Sequence, residues 1–244
     1  MLDFLYFSFY HYFFYSIPAL DALQLKGQYH AAEGNEAAQE SIVDQLKSMV
    51  ASSQEPSVQL TAAQVLLHAG QTKEALQCVH LGTTMEHIGL VLQIYLKMDR
   101  LDLAKQQLSL LRQADEDAVL TQLSAVYIHL AVGSTGAADA MHGMNSLTEQ
   151  YGPSAVLLNL MACAMMQKGD FAGAEGKLQE CLRDHPEVPI PDTLVNMIVC
   201  LVQQNKSPDE MVGQIKQQYP SHAFCVGLDR VVGAFDREAI KYKV

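Results

Sequence analysis

The sequence predicts an all-α protein built from consecutive pairs of antiparallel helices, and three observations carry this prediction. Apolar residues recur with the 3.6-residue period of a helix, as at Leu101, Ala104, Leu108 and Leu111. No stretch longer than a few residues alternates with a period of two, so strands are not expected. Turn signals separate the periodic segments at short intervals: AGQT at 69–72, MDR at 98–100, VGSTG at 132–136, KGD at 168–170 and QNKSP at 204–208.

The segment 157–186 contains a set of small and apolar residues at characteristic spacings. Spacings of 7, 5, 4, 3 and 5 residues separate Ala162, Gly169, Ala174, Leu178, Cys181 and Pro186. The set resembles the tetratricopeptide repeat, a helix-turn-helix unit of about 34 residues. Small residues are expected where the two helices cross closely, glycine where the first helix ends with a positive φ, and proline where the second helix stops.

The same pattern recurs along the chain, with Ala75, Ala104, Ala140 and Ala174 placed 29, 36 and 34 residues apart. In this pattern Asp99 and Asn205 take the turn position of the glycine, while GSTG at 133–136 is an insertion in another turn. Each unit of such an array buries its apolar face only against its neighbours. We therefore predict a tetratricopeptide-like helical-repeat solenoid, a right-handed superhelix of antiparallel helix pairs, over residues 19–244.

The first eighteen residues do not match the rest of the chain. The segment MLDFLYFSFYHYFFY holds nine of the eighteen Phe and Tyr residues of the protein. It has no basic start and no small-residue cleavage site, so it is a poor secretory signal. Asp3 and His11 interrupt it, and a membrane helix needs about twenty apolar residues. We interpret residues 1–18 as an aromatic-rich extension outside the native fold, with a membrane anchor as the alternative.

Charge and motif content argue against several classes of function. The formal net charge of −11 opposes binding to the phosphates of nucleic acids. The sequence contains no HExxH metal motif, no Gly-rich phosphate loop and no GxSxG nucleophile motif. The five cysteines include no CxxC pair and lie in apolar helical segments, which favours buried, reduced thiols in a reducing compartment. We therefore predict no catalytic, cofactor or metal site.

Four longer segments are more specific than the repeat pattern. They are IYLKMDRLDLAKQQL, DEDAVLTQLSAVYIHLA and GDFAGAEGKLQECL, followed near the C-terminus by AFDREAIKY. In order and spacing they resemble the epsilon subunit family of coatomer, the COPI vesicle coat. The resemblance runs from about Ala19 to the end of the chain. Members of this family begin with further helical repeats, and the aromatic extension stands in their place, so the resemblance predicts a shortened array.

The resemblance implies a non-catalytic structural subunit without a cofactor. It implies stable association with the C-terminal domain of the coatomer alpha subunit, and through it with the other coatomer subunits. The role would be to stabilise the alpha subunit in Golgi-to-ER and intra-Golgi vesicle transport. The expected location is cytoplasmic, with peripheral membrane contact on the Golgi and on COPI-coated vesicles.

The first helix of each pair, helix A, lines the binding groove in tetratricopeptide arrays. Counting from the small residue at each helix crossing selects ten groove candidates: Gln64, Leu67, Gln93, Leu96, Gln122, Val126, His129, Asn159, Cys163 and Met166. Their side-chain amides are suited to bonding the backbone of a partner, although they would also suit a solvent-exposed face. For His129 and Met166, a place in the helix packing is the alternative.

A peptide-binding adaptor for another partner, such as a chaperone, is the alternative function. It would need Lys or Arg on helix A to clamp a carboxylate, whereas the selected positions hold mainly amide and apolar residues.

Overall fold

A computed structural model describes residues 18–186 and 191–242 of the chain. Within these ranges there are thirteen α-helices and no strand, followed by a short 3-10 turn at Ile240–Tyr242. The all-α prediction is therefore confirmed for the described residues. The helices are α1 Pro18–Ala31, α2 Glu36–Ser52, α3 Pro56–His68, α4 Thr72–Val79, α5 Met85–Lys97, α6 Leu101–Ala114, α7 Val119–Val132, α8 Ala137–Tyr151, α9 Ala155–Gln167, α10 Phe171–Asp184, α11 Pro191–Gln203, α12 Asp209–Gln218 and α13 Ala223–Ala239.

The helices contact one another in the order of a helical-repeat array. Odd-numbered helices are the first of each pair, helix A, and even-numbered helices are the second, helix B. Helices A and B pack within a pair in α3 with α4, α5 with α6 and α9 with α10. Neighbouring first helices also contact each other in α1 with α3, α3 with α5 and α9 with α11. A helix B contacts the following helix A in α2 with α3, α4 with α5, α8 with α9 and α10 with α11. This neighbour-to-neighbour order confirms the predicted repeat fold.

The chain divides into two compact units, the first ending at Ser124 and the second beginning at Ala125, within α7. The core of the first unit is built around fully buried Leu46, Leu66 and Ile94. The second unit has apolar clusters on both sides of α11. Of the proposed extension, residues 1–17 lie outside the described residues, and Pro18 is the first residue of α1.

Four of the turns between paired helices share one backbone conformation. A residue with positive φ ends the first helix at Gly70, Asp99, Gly169 and Asn205, with φ of 76°, 57°, 80° and 56°. After α9, the Asp170 N–H donates to the Met165 carbonyl at 3.0 Å and the Gly169 N–H to the Met166 carbonyl at 2.9 Å. The same two bonds close α3, α5 and α11. This is the Schellman motif, which satisfies carbonyls left over at a helix end.

The turn between α7 and α8 differs from these four, as the GSTG insertion predicts. It holds four residues, with Gly133 at a φ of 90°. The repeat spacing places Ala125 at the helix crossing of this pair, but the structure places Val126 there, one residue later. Ala125 is only half-buried, whereas Val126 is 1% exposed, and a Cβ added at Gly143 of α8 would lie 3.0 Å from a Val126 methyl.

Alanines stand at the predicted positions in the second helix of four pairs. Ala75, Ala104, Ala140 and Ala174 are all completely buried. A larger side chain at such a position would force the two helices apart, because protein interiors are close-packed. At the start of α7, the Asp115 carboxylate accepts from the backbone N–H of Asp117 at 3.0 Å, as a helix-capping side chain does.

The last long helix, α13, buries its apolar residues mainly in its first turn, and an exposed ion pair at 2.6 Å joins its Asp229 to Lys216 of α12. Cys225 is its only described buried residue and joins Leu194, Ile198 and Ile215 in an apolar cluster. Farther along the helix, apolar side chains face solvent, with Phe235 71% exposed. In the described part of the chain, none of the helices combines the length and the apolar character needed to cross a bilayer.

Two glycines of the second unit provide a matched test of the turn. Gly169 has a φ of 80° and Gly176 lies inside α10, and a Cβ at either position would meet no atom within 4 Å. Gly169→Ala should lower the free energy of unfolding by about 1 kcal/mol, because an L-residue is strained in the left-handed region. Gly176→Ala should raise it by up to about 1 kcal/mol, because alanine favours a helix interior. Urea denaturation measures both changes, and a stabilised Gly169→Ala protein would refute the turn assignment.

Candidate functional site

Four of the groove candidates lie on helices α3 and α5 of the first unit. Gln64 and Leu67 of α3 are half-buried, as is Leu96 of α5, while Gln93 of α5 is exposed. Gln64 and Gln93 are each the ninth residue of their helix, so they occupy equivalent positions in their repeats. Because α1, α3 and α5 contact each other in sequence, these side chains form one continuous surface, which we call the A face of the first unit.

Two lysines bridge neighbouring helices across this A face. The Lys26 ammonium of α1 donates to the Gln64 side-chain oxygen at 2.6 Å. The Lys97 ammonium of α5 donates to the Leu67 backbone carbonyl of α3 at 2.9 Å. Each ammonium group has three donors, so each of these lysines keeps further capacity for a hydrogen bond.

Two histidines complete a cluster of cationic and ionisable side chains on the A face. The rings of His30 and His68 meet edge to face, with centroids 5.3 Å apart. Partial desolvation lowers the pKa of His68, and the neighbouring His30, Lys97 and Lys26 lower it further because their positive charges oppose protonation of its ring. We call Lys26, His30, His68 and Lys97 the cationic cluster.

The cationic cluster was not predicted from the sequence. Groove positions were selected by counting from the small residues at helix crossings, and none was selected before Gln64. The spacing holds a usable signal, since Lys26 and His30, Gln64 and His68, and Gln93 and Lys97 are each four residues apart. Such pairs share one face of a helix.

The fifth candidate of the first unit, Gln122, is engaged locally. Its side-chain amide donates to the Asp117 carbonyl at 3.0 Å, across the beginning of α7. The residue is half-buried.

Asn159 of α9 does not face a groove, contrary to the expectation from its repeat position. It is 8% exposed, and its amide nitrogen donates to the Ala155 carbonyl at 2.9 Å and to the Thr193 hydroxyl of α11 at 2.8 Å. The Cys181 sulfur of α10 lies 3.4 Å from the same nitrogen. The amide therefore joins three helices inside the second unit and is not available to a partner.

The other candidates of the second unit are mostly packed side chains. Val126 is buried at the α7–α8 crossing, so the groove expectation is wrong for this residue too. Met166 packs against the cluster that contains Ala162 and Leu178, in agreement with the alternative that the sequence left open. Cys163 and His129 are half-buried, and the Asn196 amide lies 3.8 Å from the Cys163 sulfur.

Burial favours the protonated thiol in four of the five cysteines. All five are free, with three buried and two half-buried. Burial raises the pKa of Cys78, Cys163 and Cys181, and it raises the pKa of Cys200 to about 11. Over residues 18–186 and 191–242, no three His, Cys, Asp or Glu side chains gather as a metal site would require.

Comparison with known protein families gives one specific match. The model of the family described as Coatomer epsilon subunit matches residues 16–243. Coatomer subunit epsilon-2 of Arabidopsis thaliana is 32% identical over 221 residues, which cover 89% of this chain and 74% of that protein. Coatomer subunit epsilon of Dictyostelium discoideum is 29% identical over 184 residues, which cover 73% of this chain and 60% of that protein.

Solved structures resemble the chain in fold. A tetratricopeptide repeat protein from Parabacteroides merdae superposes with a TM-score of 0.69 at 12% identity, over 86% of this chain and 83% of its own. A thermophilic tetratricopeptide protein of Thermus thermophilus superposes with a TM-score of 0.60 at 12% identity, over 75% of this chain and 99% of its own. Both comparisons confirm the tetratricopeptide-like architecture.

The buried amide of Asn159 can be tested through its acceptor. Thr193→Val should lower the free energy of unfolding by about 1 kcal/mol, because one amide hydrogen loses its oxygen acceptor in the interior. Thr148→Val is the control, because that hydroxyl bonds only to the Met144 carbonyl of its own helix, and the change should stay within about 0.5 kcal/mol. If urea denaturation gave equal losses of unfolding free energy for the two variants, the bond between Thr193 and Asn159 would add no more stability than a bond within one helix.

The electrostatics of the cationic cluster can be tested by NMR. Lys97→Gln should raise the pKa of His68, because loss of a nearby positive charge favours the protonated imidazole. A pH titration of the histidine ring signals measures the change. Lys105→Gln, on the exposed side of α6, should leave the pKa of His68 unchanged. An unaltered His68 titration in the Lys97 variant would contradict the proximity of these two groups.

Proposed function

The chain belongs to the coatomer epsilon subunit family, and from this premise we propose that it is a non-catalytic structural subunit of the COPI coat. It binds the C-terminal domain of the alpha subunit, stabilises that subunit, and reaches the other coatomer subunits through it. The observation that carries the proposal is the family match, because residues 16–243 include every described helix.

The proposed location follows from membership of the coat. The protein is cytoplasmic and associates peripherally with Golgi membranes and COPI-coated vesicles, where it takes part in Golgi-to-ER and intra-Golgi transport. Residues 19–244 are proposed as the repeat domain and residues 1–18 as an extension outside it, apart from Pro18, which begins α1.

The A face of the first unit supports a binding role. Gln64 and Gln93 present amides at equivalent positions on adjacent helices, and such amides can both donate to and accept from a polypeptide backbone. Leu67 and Leu96 follow these glutamines by three residues on the same helices and add half-buried apolar side chains to the A face. The surface is held by helices packed on a common core, so little ordering is needed when a partner binds.

The experiment is calorimetry of the full chain with the C-terminal domain of the alpha subunit. We expect the unmodified chain to bind, and the double variant Gln64→Ala, Gln93→Ala to bind about tenfold more weakly, because two amide hydrogen bonds are lost. The control is Gln106→Ala, Gln113→Ala, two exposed glutamines of α6, which should bind as the unmodified chain does.

Each outcome of this experiment has one meaning. Absence of binding by the unmodified, folded chain would refute the proposed function. Binding that is equal in the two double variants would retain the function but exclude the A-face amides as contact residues. Circular dichroism of each variant establishes that the helices are intact.

A further inference from the structure

We propose that the cationic cluster on the A face of the first unit binds an acidic polypeptide segment of a partner protein. The inference rests on the proposed function, since the cluster belongs to the surface on which that function is placed. It adds the chemical character of the bound segment, which family membership does not specify.

The cluster is drawn together from three helices. Lys26 and His30 belong to α1, His68 to α3 and Lys97 to α5. Hydrogen bonds from the two lysines and the ring contact between the two histidines bring these side chains onto one surface. The charges that act on His68 are those of His30, Lys97 and Lys26, all of one sign.

Helix capping explains only part of this arrangement. His30, His68 and Lys97 lie in the last turns of their helices, where the helix dipole favours positive charge. That accounts for one basic side chain on each helix. It does not account for Lys26, one turn earlier in α1, or for the approach of all four groups across helix boundaries. Groups of like charge repel when they approach, and a bound anion would remove that cost.

The surroundings favour an acidic polypeptide over other anions. The chain has a formal net charge of −11, so long-range repulsion opposes a densely charged nucleic acid or anionic membrane more strongly than a segment with a few carboxylates. The cluster holds four basic side chains, a number that suits such a segment. The amides of Gln64 and Gln93 lie on the same surface and suit an extended backbone, which inorganic phosphate lacks.

The first probe is a fluorescein-labelled oligoglutamate peptide, with an oligoglutamine peptide of equal length as its control. We expect fluorescence anisotropy at low salt to show binding of the oligoglutamate peptide alone. The double variant Lys26→Gln, Lys97→Gln should bind it about fivefold more weakly, through loss of two exposed charge pairs. Lys73→Gln, Lys105→Gln, on exposed positions of α4 and α6, should change the affinity by less than about twofold.

A site-specific measurement accompanies the anisotropy. Oligoglutamate should shift the NMR ring signals of His30 and His68 in the unmodified chain, and the shifts should diminish in the Lys26, Lys97 variant. Failure to bind, equal weakening by the two double variants, or unshifted His30 and His68 signals would overturn the proposal. Displacement of the peptide by inorganic phosphate at equal charge concentration would also overturn it, since the site would then be one for small anions.

Calorimetry with the alpha-subunit domain separates this proposal from the function on which it rests. If the domain binds the unmodified chain and the Lys26, Lys97 variant equally, with the same salt dependence, the function stands and the proposed role of the cluster is wrong. If the domain does not bind but oligoglutamate does so at the cluster, the acidic specificity stands and the identity of the partner is wrong.

Discussion

The close crossing of two helices at a residue with almost no side chain is the constraint on which the rest of this structure depends. Ala75, Ala104 and Ala174 are completely buried at such crossings. Because the paired helices lie so near each other, the chain must reverse direction within a few residues. A residue with positive φ achieves this after α3, α5, α9 and α11. The same reversal in successive pairs brings equivalent positions of neighbouring first helices side by side, as Gln64 and Gln93 show.

The features that sequence could predict are the ones set by local geometry. Asp99 and Asn205 were placed at glycine positions from spacing alone, and both adopt positive φ. Asp and Asn are the residues other than glycine that tolerate this conformation best. The turn therefore keeps its positive φ where either of them replaces glycine. The lengths of the turns and the buried alanines follow from the same periodicity.

The prediction failed where a residue's environment depends on a helix far along the chain. Asn159 lies one helical turn earlier in its repeat than Gln64 does in its own, on the same predicted face. Its amide nevertheless bonds to Thr193, 34 residues later. No periodicity within α9 reveals that acceptor. Val126 became buried because the longer α7–α8 turn moved the crossing by one residue. The cationic cluster was not predicted for a similar reason. Lys26 of α1 and Lys97 of α5 lie on one surface because both helices pack against α3.

The weak attachment of α13 has a consequence for the order in which the fold opens. Its first turn holds Cys225 in the core, while Val231 and Phe235 remain 61% and 71% exposed. A segment with so few buried contacts unfolds locally at a much smaller free energy than the whole domain. Its backbone amides therefore exchange with solvent deuterium sooner than those of α9 or α10, and its peptide bonds are the earlier substrate for a protease. We therefore expect the last helix to open while the other described repeats remain folded.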